Sequence, residues 1–420
     1  MSKPTNQRPT KAKTANQQVI PVKMQQISLP VFSEKVYTGQ KFVRYGDDNL
    51  FPQFLQMLAD RSALHGAIVT NKLNYAYGHG FEYDDSTKNI LTTAWMKHPN
   101  PYETLNDIYK KCLYDYILYG AFALNVIWDA DKQHIAEIYH CDVSKIRCGM
   151  KDRFGIVREY FYSDVWYKTA LREYDSIPAF SITNREGSQI LYYKDYRPGT
   201  SYYALPSYCG ALNAIATDME ISNFHLSHIL NGMSPSKSIT FMDGVPSEDE
   251  QRNIKGQIES LYTGSDNAGK FLLNFVNSPE KAPKIDTLGG DNLGDEFIQL
   301  ESSVLNQILA GHMVTSPLLV GLRTDNNGLG SNSDEILKAF EVFTNTVIKP
   351  IQDTVIKTFN DIIQYTKGYE GLILEPTLNI PVKFMFSEGI LTQICTKNEL
   401  REMIGKDPIE EVIEEEIKAE

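Results

Sequence analysis

The sequence predicts an α+β protein with two or more domains, and two features of the chain support this prediction. Long amphipathic helices without Lys or Arg are predicted at about 206–231 and 295–313, and they bracket a compact segment. A region at about 122–196, rich in Tyr, Ile and Val, precedes them and has the composition of short strands. A chain of 420 residues can bury a large core, and its hydrophobic fraction of 42% is ordinary for a globular protein.

The distribution of charge argues against a general nucleic-acid-binding protein. The formal net charge is −12, whereas affinity for nucleic acid depends on Lys and Arg that neutralise phosphates. Basic residues are absent from 198–236 and from 285–322, the segments that contain the two basic-free helices. These helices therefore either pack against protein or line a surface to which nucleic acid must not adhere.

The chain has no apolar run of transmembrane length and no signal-peptide-like stretch at its N-terminus. We therefore expect that the protein assembles in the cytoplasm and does not associate with a membrane. The five cysteines are odd in number and scattered along the chain. This pattern favours free, buried thiols over disulfides or a metal site.

Residues 1–44 are predicted to form a flexible basic arm. They are rich in Gln, Asn, Thr, Pro and Lys, and Glu34 is their only acidic residue. Such an arm is either a solvated tail or a segment that reaches a neighbouring subunit or DNA.

Folded structure is expected to begin at the turn 45–49, which leads to Pro52 at a helix start. Apolar residues at helical spacing continue to residue 73, and a further helix is predicted at 102–118. Short strands between turn residues are predicted at 121–128, 135–140, 156–162 and 190–193.

The compact segment between the basic-free helices is predicted to contain a strand at 238–242, a helix at 248–262 and a strand at 271–276. After the second helix, Gly and Asn dominate a loop at 321–332.

A third long helix is predicted at 333–367, roughly 50 Å long at a rise of 1.5 Å per residue. Pro350 lies in its middle and removes a backbone hydrogen bond, so this helix should be kinked. Strands at 372–374 and 382–386 follow, and a capping box at 396–399 begins a last short helix.

The strongest signal for an enzyme is the segment from Gly264 to Lys270, which matches the Gly-x4-Gly-Lys pattern of a phosphate-binding loop. However, Phe271 stands where a hydroxyl would hold magnesium, and the predicted order is helix, loop, strand. Phosphate instead favours a loop that precedes a helix. A nucleotide-binding enzyme is therefore only an alternative interpretation.

Other candidate sites are weaker. His225 and His228 lie three residues apart on one helix, but no third metal ligand is placed beside them. No set of carboxylates is seen to converge on a metal, and no Ser/His/Asp or Cys/His arrangement can be argued. We therefore predict no catalytic residue, no metal and no cofactor.

Several short motifs follow one another along the chain. They are Tyr196-Arg197-Pro198-Gly199, Leu205-Pro206-Ser207, Asn231-Gly232 with Pro235, the segment 264–270, Gln299-Leu300-Glu301, Ser316-Pro317-Leu318-Leu319-Val320-Gly321, Leu391-Thr392, and Asn398-Glu399-Leu400-Arg401 with Gly405. Each motif alone is short, but their order resembles that of the portal proteins, or head–tail connectors, of tailed bacteriophages. The similarity is greatest at about 190–350.

The resemblance implies a portal-like fold. It would have a mixed α/β wing, a two-helix stem, a small α/β clip, a long kinked wing helix and a short C-terminal helical crown. The implied divisions are the arm 1–44, wing 45–204, first stem helix 205–231, clip 232–293, second stem helix 294–314, tunnel loop 315–332, kinked wing helix and strands 333–389, and crown 390–420.

The resemblance also implies a structural protein and not an enzyme. Usually twelve subunits form a ring at one capsid vertex, and double-stranded DNA passes non-specifically through its channel. The terminase large subunit would dock on the clip during packaging, and head-completion or adaptor proteins would bind there later. Major capsid and scaffolding proteins would be further partners, and the mature ring would be located in the virion.

Two sets of residues are predicted to face the channel. The stem acids are Asp218, Glu220, Asp295, Glu296 and Glu301; the tunnel-loop residues are Arg323, Thr324, Asp325, Asn326, Asn327 and Gly328. A wall with acids and no bases repels phosphate, so moving DNA does not adhere to it. An alternative remains open for each set. The two helices could be ordinary core and subunit interface, and the loop could be an ordinary linker. A virion scaffold or interaction protein that forms no ring is a further interpretation.

Overall fold

The computed structural model describes residues 30–83, 88–167, 174–230, 237–241, 247, 249–250, 252–254, 271–275, 293–322 and 333–377. The fold of these residues is mixed α/β. The helices are α1 (Phe51–Arg61), α2 (Ala63–Tyr77), α3 (Ile90–Lys97), α4 (Leu105–Tyr119), α5 (Leu212–Leu230), α6 (Leu293–Gly311), α7 (Ser333–Phe343) and α8 (Lys349–Ile363). The strands are β1 (Glu34–Lys35), β2 (Arg44–Tyr45), β3 (Ala121–Trp128), β4 (Ile135–His140), β5 (Ile146–Cys148), β6 (Glu159–Tyr162), β7 (Asp175–Pro178), β8 (Ser188–Lys194), β9 (Lys237–Phe241) and β10 (Phe271–Phe275).

The helices before the sheets begin and end at local sequence signals. Pro52 lies in the first turn of α1, where its missing N–H would have no helical partner in any case. Ser62 separates α1 from α2, and its Oγ accepts a hydrogen bond from a backbone N–H in the first turn of α2. Thr104 and Asp107 form a reciprocal capping box at the start of α4. Gly120 ends α4 with a φ of 73°, which a residue with a side chain rarely adopts.

Two antiparallel sheets follow α4, with strand orders β4-β3-β8 and β5-β6-β7. The central strand β3 is buried along most of its length because α4 packs on it and strands flank both its edges. The bounds of β3 and β4 are those predicted from the sequence. Helix α3 and strands β5 and β7 were not predicted from the sequence, and β6 begins three residues later than the predicted start at 156.

The folded part begins earlier than the predicted boundary at residue 45. Strands β1 and β2 pair antiparallel, and the Glu34 carboxylate accepts three backbone N–H groups, from Ser201, Tyr202 and Tyr203, each at 2.7 Å. Val43 is buried in the core. Composition suggested an arm through residue 44, but these long-range hydrogen bonds make residues 30–44 part of the body.

The core of the described residues has two large groups of buried side chains and a small third one, formed by Phe42, Phe161 and Trp166. One large group joins α1 to the first part of α5 and the second part of α6, and it includes Leu58, Ile215 and Ile308. The other large group lies between α4, β3 and α8, and it includes Phe122 and Phe359. The basic-free helices are therefore anchored in the body at one of their ends.

The strand predicted at 372–374 does not form. The side chain of Asn360 replaces a neighbouring strand, because it accepts the N–H of Leu374 at 2.8 Å and donates to its carbonyl oxygen at 3.3 Å. The strand predicted at 382–386, the capping box at 396–399 and the crown at 390–420 lie outside the described residues.

Arg147 of β5 is fully buried and joins the β5-β6-β7 sheet to the turn before α1. Its guanidinium donates hydrogen bonds to Asn49 Oδ1 at 2.7 Å, to the Asn49 carbonyl at 2.6 Å, and to the carbonyls of Ser144 and Ile146. It also lies over the Trp166 ring at 4.9 Å. Asn49 has a φ of 66°, so this contact stabilises an unusual backbone conformation at the entry to α1.

We expect Arg147→Lys to lower the free energy of unfolding by about 2–4 kcal/mol. Lysine cannot reach these oxygens together, and buried acceptors without a partner each cost about 1–3 kcal/mol. Chemical denaturation of the purified protein measures the loss. Arg158→Lys is the matched control: this exposed arginine contacts Asp152, and its replacement should change stability by less than about 0.5 kcal/mol. An equal effect of both substitutions would contradict the structural role of Arg147.

Candidate functional site

The two basic-free helices pack against each other as an antiparallel pair. Ala211, just before α5, meets Gly311 at the end of α6, and His225 of α5 lies opposite Glu301 in the middle of α6. The antiparallel arrangement follows from these two contacts, because positions that increase along α5 meet positions that decrease along α6. The pair is predicted from sequence as the stem, and the structure confirms both helices to within a few residues, apart from the 3₁₀ turn Cys209–Ala211 before α5.

The antiparallel pair is buried at one end and exposed at the other. Near the body, Ile215 and Ile308 are completely buried. Farther along, residues 222–226 of α5 and 298–303 of α6 are all exposed. This part includes large apolar side chains, among them Leu226 at 56% exposure and Ile298 at 65%. Leu300 of α6 is likewise exposed in the described part of one subunit.

The close approach of the helices near the body requires a glycine. A Cβ built on Gly311 would lie 2.4 Å from the Cβ of Ala211, a distance that real side chains do not reach. A larger residue at either position would push the helices apart where they enter the core. The distance between the two helices is therefore set at this end.

A buried pair of histidines lies at the same end. His65 of α2 and His312, which follows α6, are both inaccessible to solvent, and His65 Nδ1 lies 2.8 Å from His312 Nε2. Tyr208 stacks on His312 with ring centroids 4.7 Å apart, and its hydroxyl donates to the Leu118 carbonyl. One ring nitrogen must donate and the other must accept, so the accepting imidazole must be neutral.

Both histidines are held in the neutral form. Burial, with a smaller effect of the Lys72 charge, lowers the pKa of His65 to about 4. The pKa of His312 is lowered for the same reasons. Lys72 is itself buried, which lowers its pKa to about 8. Protonating either ring would place a second positive charge close to Lys72. Protonating the accepting nitrogen would also remove the acceptor of the hydrogen bond.

The predicted channel acids do not share one environment. Asp218 accepts a hydrogen bond from Ser62 Oγ at 2.7 Å, so its carboxylate points toward the N-terminus of α2 in the same subunit. Glu301 lies 3.0 Å from His225 Nε2, and both side chains are about half exposed. Asp295 and Glu296 belong to the first turns of α6, and their side chains lie outside the description.

Asp218 and Glu220 also lie on different faces of α5. Residues two apart on an α-helix are rotated by about 200° because each residue adds about 100°. Glu220 is exposed beside α1, whereas Asp218 contacts α2. Whether Asp218, Glu220, Glu301 or the acids of the first turn of α6 face a channel stays a prediction.

The flanks of the predicted tunnel loop are ordered. A 3₁₀ turn at Pro317–Val320 ends at Gly321, whose φ is 78°, and Tyr75 donates a hydrogen bond to the Leu319 carbonyl. Helix α7 begins at Ser333. The loop residues Arg323, Thr324, Asp325, Asn326, Asn327 and Gly328 lie outside the described residues, so their role also stays a prediction.

The third long helix is interrupted where Pro350 was expected to kink it. Between α7 and α8, residues Thr344–Ile348 form a π-helical turn, and the Lys349 N–H donates to the Thr344 carbonyl. Pro350 follows in the first turn of α8 and has no N–H to continue the α-helical ladder. Proline and π turns are recognised causes of kinks, so the local cause of the predicted bend is present.

The compact segment between α5 and α6 is described in part. Strands β9 and β10 pair in parallel, with Lys237 opposite Phe271 and Phe241 opposite Phe275. The Gly264-to-Lys270 segment lies outside the described residues, but β10 begins directly after it. A strand thus follows the Gly-Lys sequence, as predicted, where a phosphate-binding loop would lead into a helix.

The described residues contain little that could support metal or redox chemistry. Cys112, Cys141 and Cys148 are buried free thiols, and Cys209 is a partly buried one. Within this part of the chain, no three His, Cys, Asp or Glu side chains lie close enough to share a metal ion. No described helix has both the length and the hydropathy needed to cross a lipid bilayer.

Comparison with known proteins agrees with this architecture. The probable portal protein of Haemophilus phage HP1 (strain HP1c1) is 24% identical over 185 residues, which cover 43% of this chain and 51% of that protein. The match thus spans about half the length of that relative. Among solved structures, the neck of an empty gene transfer agent (GTA) particle computed with C6 symmetry has a TM-score of 0.53 at 16% identity. The match covers 85% of this chain and 94% of the GTA neck chain. The neck of a native GTA particle computed with C12 symmetry has a TM-score of 0.50 at 15% identity, with 85% and 95% covered.

A mixed α/β body that carries two long antiparallel helices without basic residues defines a connector-type protein. The chain belongs to the phage portal protein family, whose model matches residues 64–376. The family resemblance seen in the sequence is thereby confirmed, and with it a portal, or connector, role. That family is structural and not enzymatic.

Sequence reasoning missed the residues that fix the base of the helix pair. His65 and His312 are 247 positions apart, and no short motif marks them. The only available signal was that each lies on an otherwise apolar helical segment, which is more typical of ordinary core histidines. Gly311 was equally inconspicuous, because its importance depends on Ala211, a residue 100 positions away.

The histidine pair predicts how stability depends on pH. The pKa of His65 is about 4 in the folded protein and about 6.5 when unperturbed, so the unfolded chain binds more protons between these values. Stability should therefore fall as the pH decreases from about 6.5 to 4, by up to about 1.4 kcal/mol per pH unit for each buried histidine.

Thermal unfolding at several pH values measures this dependence. His312→Gln should flatten the profile below pH 6.5, because one of the two rings that must remain neutral is gone. His134→Gln removes a surface imidazole and is the control. If His312→Gln and wild type lose stability in parallel as the pH falls, the buried pair is not the cause.

Proposed function

We propose that this chain is the subunit of a portal ring, usually of twelve copies, at one vertex of a phage-type capsid. The ring would form the channel through which double-stranded DNA enters during packaging and leaves later. Membership in the portal family supports the role, and the C6 and C12 symmetry of the related GTA necks supports a ring. The protein would assemble in the host cytoplasm and remain in the virion.

The observation that carries this proposal is the exposed end of the α5–α6 pair. Leu226, Ile298 and Leu300 expose large apolar side chains on helices that are otherwise folded and paired. Water is a poor environment for such a patch, whereas a second copy packed alongside would bury it. Repetition of one such heterologous contact around an axis closes a ring.

The charge of the same helices suits a DNA channel. Neither α5 nor α6 contains Lys or Arg, although exposed helices normally carry them. Several exposed positions of α6 are instead neutral and polar, among them Ser303, Asn306 and Gln307. A duplex that moves past such a surface finds few fixed cations to bind, so each contact adds little salt-dependent affinity.

We assign the remaining parts by their position in the chain. The wing would be residues 30–204 together with the π-interrupted helix and the segment that follows it to residue 389. The stem would be α5 and α6, and the clip would be residues 232–293. The clip would dock the terminase large subunit and later the head-completion or adaptor proteins. Residues 390–420 would form a short crown, and major capsid and scaffolding proteins would contact the ring from outside.

Electron micrographs of the purified protein test the ring directly, because top views either show a central hole or do not. A substitution sharpens the test. Ile298→Lys, at a position 65% exposed in the subunit, should leave the subunit folded but convert rings into smaller species. Ile373→Lys is the matched control, since Ile373 is 70% exposed outside the helix pair. Mass photometry and circular dichroism report assembly and folding.

Intact rings in the Ile298→Lys protein would place Ile298 outside the subunit interface. Wild-type protein that remains monomeric at high concentration would contradict the ring altogether and would favour a virion scaffold or interaction protein that forms no ring.

The tunnel loop gives a separate prediction. Deletion of residues 326–330 should leave ring assembly unchanged, because the loop's flanks are fixed by Leu319 and by α7. It should impair DNA packaging or retention if the loop contacts the duplex. The length of packaged DNA in particles made with the deleted portal measures the effect. A normal length would identify the loop as an ordinary linker.

A further inference from the structure

A groove of about 790 Å³ lies between α1 and α5 on the surface of the body. Its floor is apolar and is formed mainly by Phe54 and Met57 of α1 and by Ala216 and Met219 of α5. Its rim carries the exposed charged side chains of Asp48, Arg61 and Glu220. An elongated apolar floor with a polar rim is typical of a surface that receives a peptide segment.

The first residue that the structure describes lies at the edge of this groove. Pro30, the first described residue, is one of the groove-lining residues. The chain that follows is tied to the body: the Asp47 N–H donates to the Val31 carbonyl, and Phe32 packs edge-on against Phe51. Residue 29 therefore lies next to the groove by covalent connection.

The sequence just before Pro30 has the composition that the groove requires. Residues 1–18 contain four basic residues and no Val, Ile, Leu, Phe, Tyr or Trp. The composition changes abruptly at residue 19. The apolar residues of the following stretch are Val19, Ile20, Pro21, Val22, Met24, Ile27 and Leu29. A segment of eleven residues in extended conformation spans roughly 35 Å, enough to follow a helix of comparable length.

The charges are also complementary. Lys23 is the one ionisable residue of 19–29, and two of the three charged rim residues, Asp48 and Glu220, are acidic. An extended segment whose apolar side chains enter the groove would leave Lys23 near this rim.

We propose that residues 19–29 of the same chain occupy the groove between α1 and α5. The segment would cover Met57 and Met219 and would tie the start of the chain to the first stem helix. It would also bring the basic residues 1–18 close to a helix that has no base of its own. Glu220 would then lie beneath or beside the arm and not in the channel. The groove assignment concerns a single subunit and does not depend on ring formation.

Cysteine cross-linking tests the occupant. In the full-length protein, Val22→Cys combined with Met57→Cys should form a cross-link within one chain, detected by peptide mapping after treatment with a short bis-maleimide. Thr10→Cys with Met57→Cys is the matched control from the polar part of the arm and should react much less. Met57→Cys alone shows the background from the native cysteines.

Two results would overturn the assignment. Cross-links between chains would show that the arm or another segment of a neighbouring copy occupies the groove. Cross-linking no better for position 22 than for position 10 would leave residues 19–29 outside the groove.

Hydrogen exchange on truncated proteins gives a second measurement that does not depend on cysteine chemistry. Removal of residues 1–29 should speed amide exchange at 216–220 of α5 by about tenfold or more, because the cover over this face is lost. Removal of residues 1–18 should change it less than about twofold. Equal exchange in both truncated proteins and in the full-length chain would contradict the proposal.

Discussion

The architecture depends on the contact between α5 and α6 where they enter the body. Gly311 allows the two helices to approach until no Cβ would fit between them, and His312, the next residue, fixes the end of α6 to α2 through His65. Tyr208, just before α5, stacks on the same imidazole. One buried junction thus sets the spacing of the helix pair, its direction and its attachment to the body. Everything farther along the pair extends from this point.

The two ends of the helix pair therefore have different roles. The buried end is stabilised within the subunit by Ile215, Val304 and Ile308, so it can fold without a neighbour. The exposed end offers Leu226 and Ile298 to water, and in the proposed ring another copy would cover them. Folding of the subunit and the proposed assembly would therefore draw on different residues of the same helices.

The acidic character of these helices needs a more specific description than the sequence allowed. Absence of Lys and Arg is a property of the whole pair and suits passage of DNA. The individual acids, in contrast, have local roles: Asp218 accepts from the N-cap Ser62, and Glu301 contacts His225. Neutrality and the lack of bases, more than a ring of free carboxylates, characterise the described surface. The proposed arm would remove Glu220 from the solvent as well.

The sequence by itself determined the family and many of the elements. Helical periodicity and breaks such as Pro350 act within a few residues, so the bounds of β3 and, to within two residues, of α6 could be predicted, whereas α5 begins later than predicted, at Leu212. Only the tertiary structure decided where the body begins, because Glu34 is held by backbone groups at 201–203, and how the pair is fixed, because His65 meets His312. It also decided that Asp218 of α5 meets Ser62, the N-cap of α2. Such contacts join residues far apart in the chain, and no local pattern records which distant partner a side chain will meet.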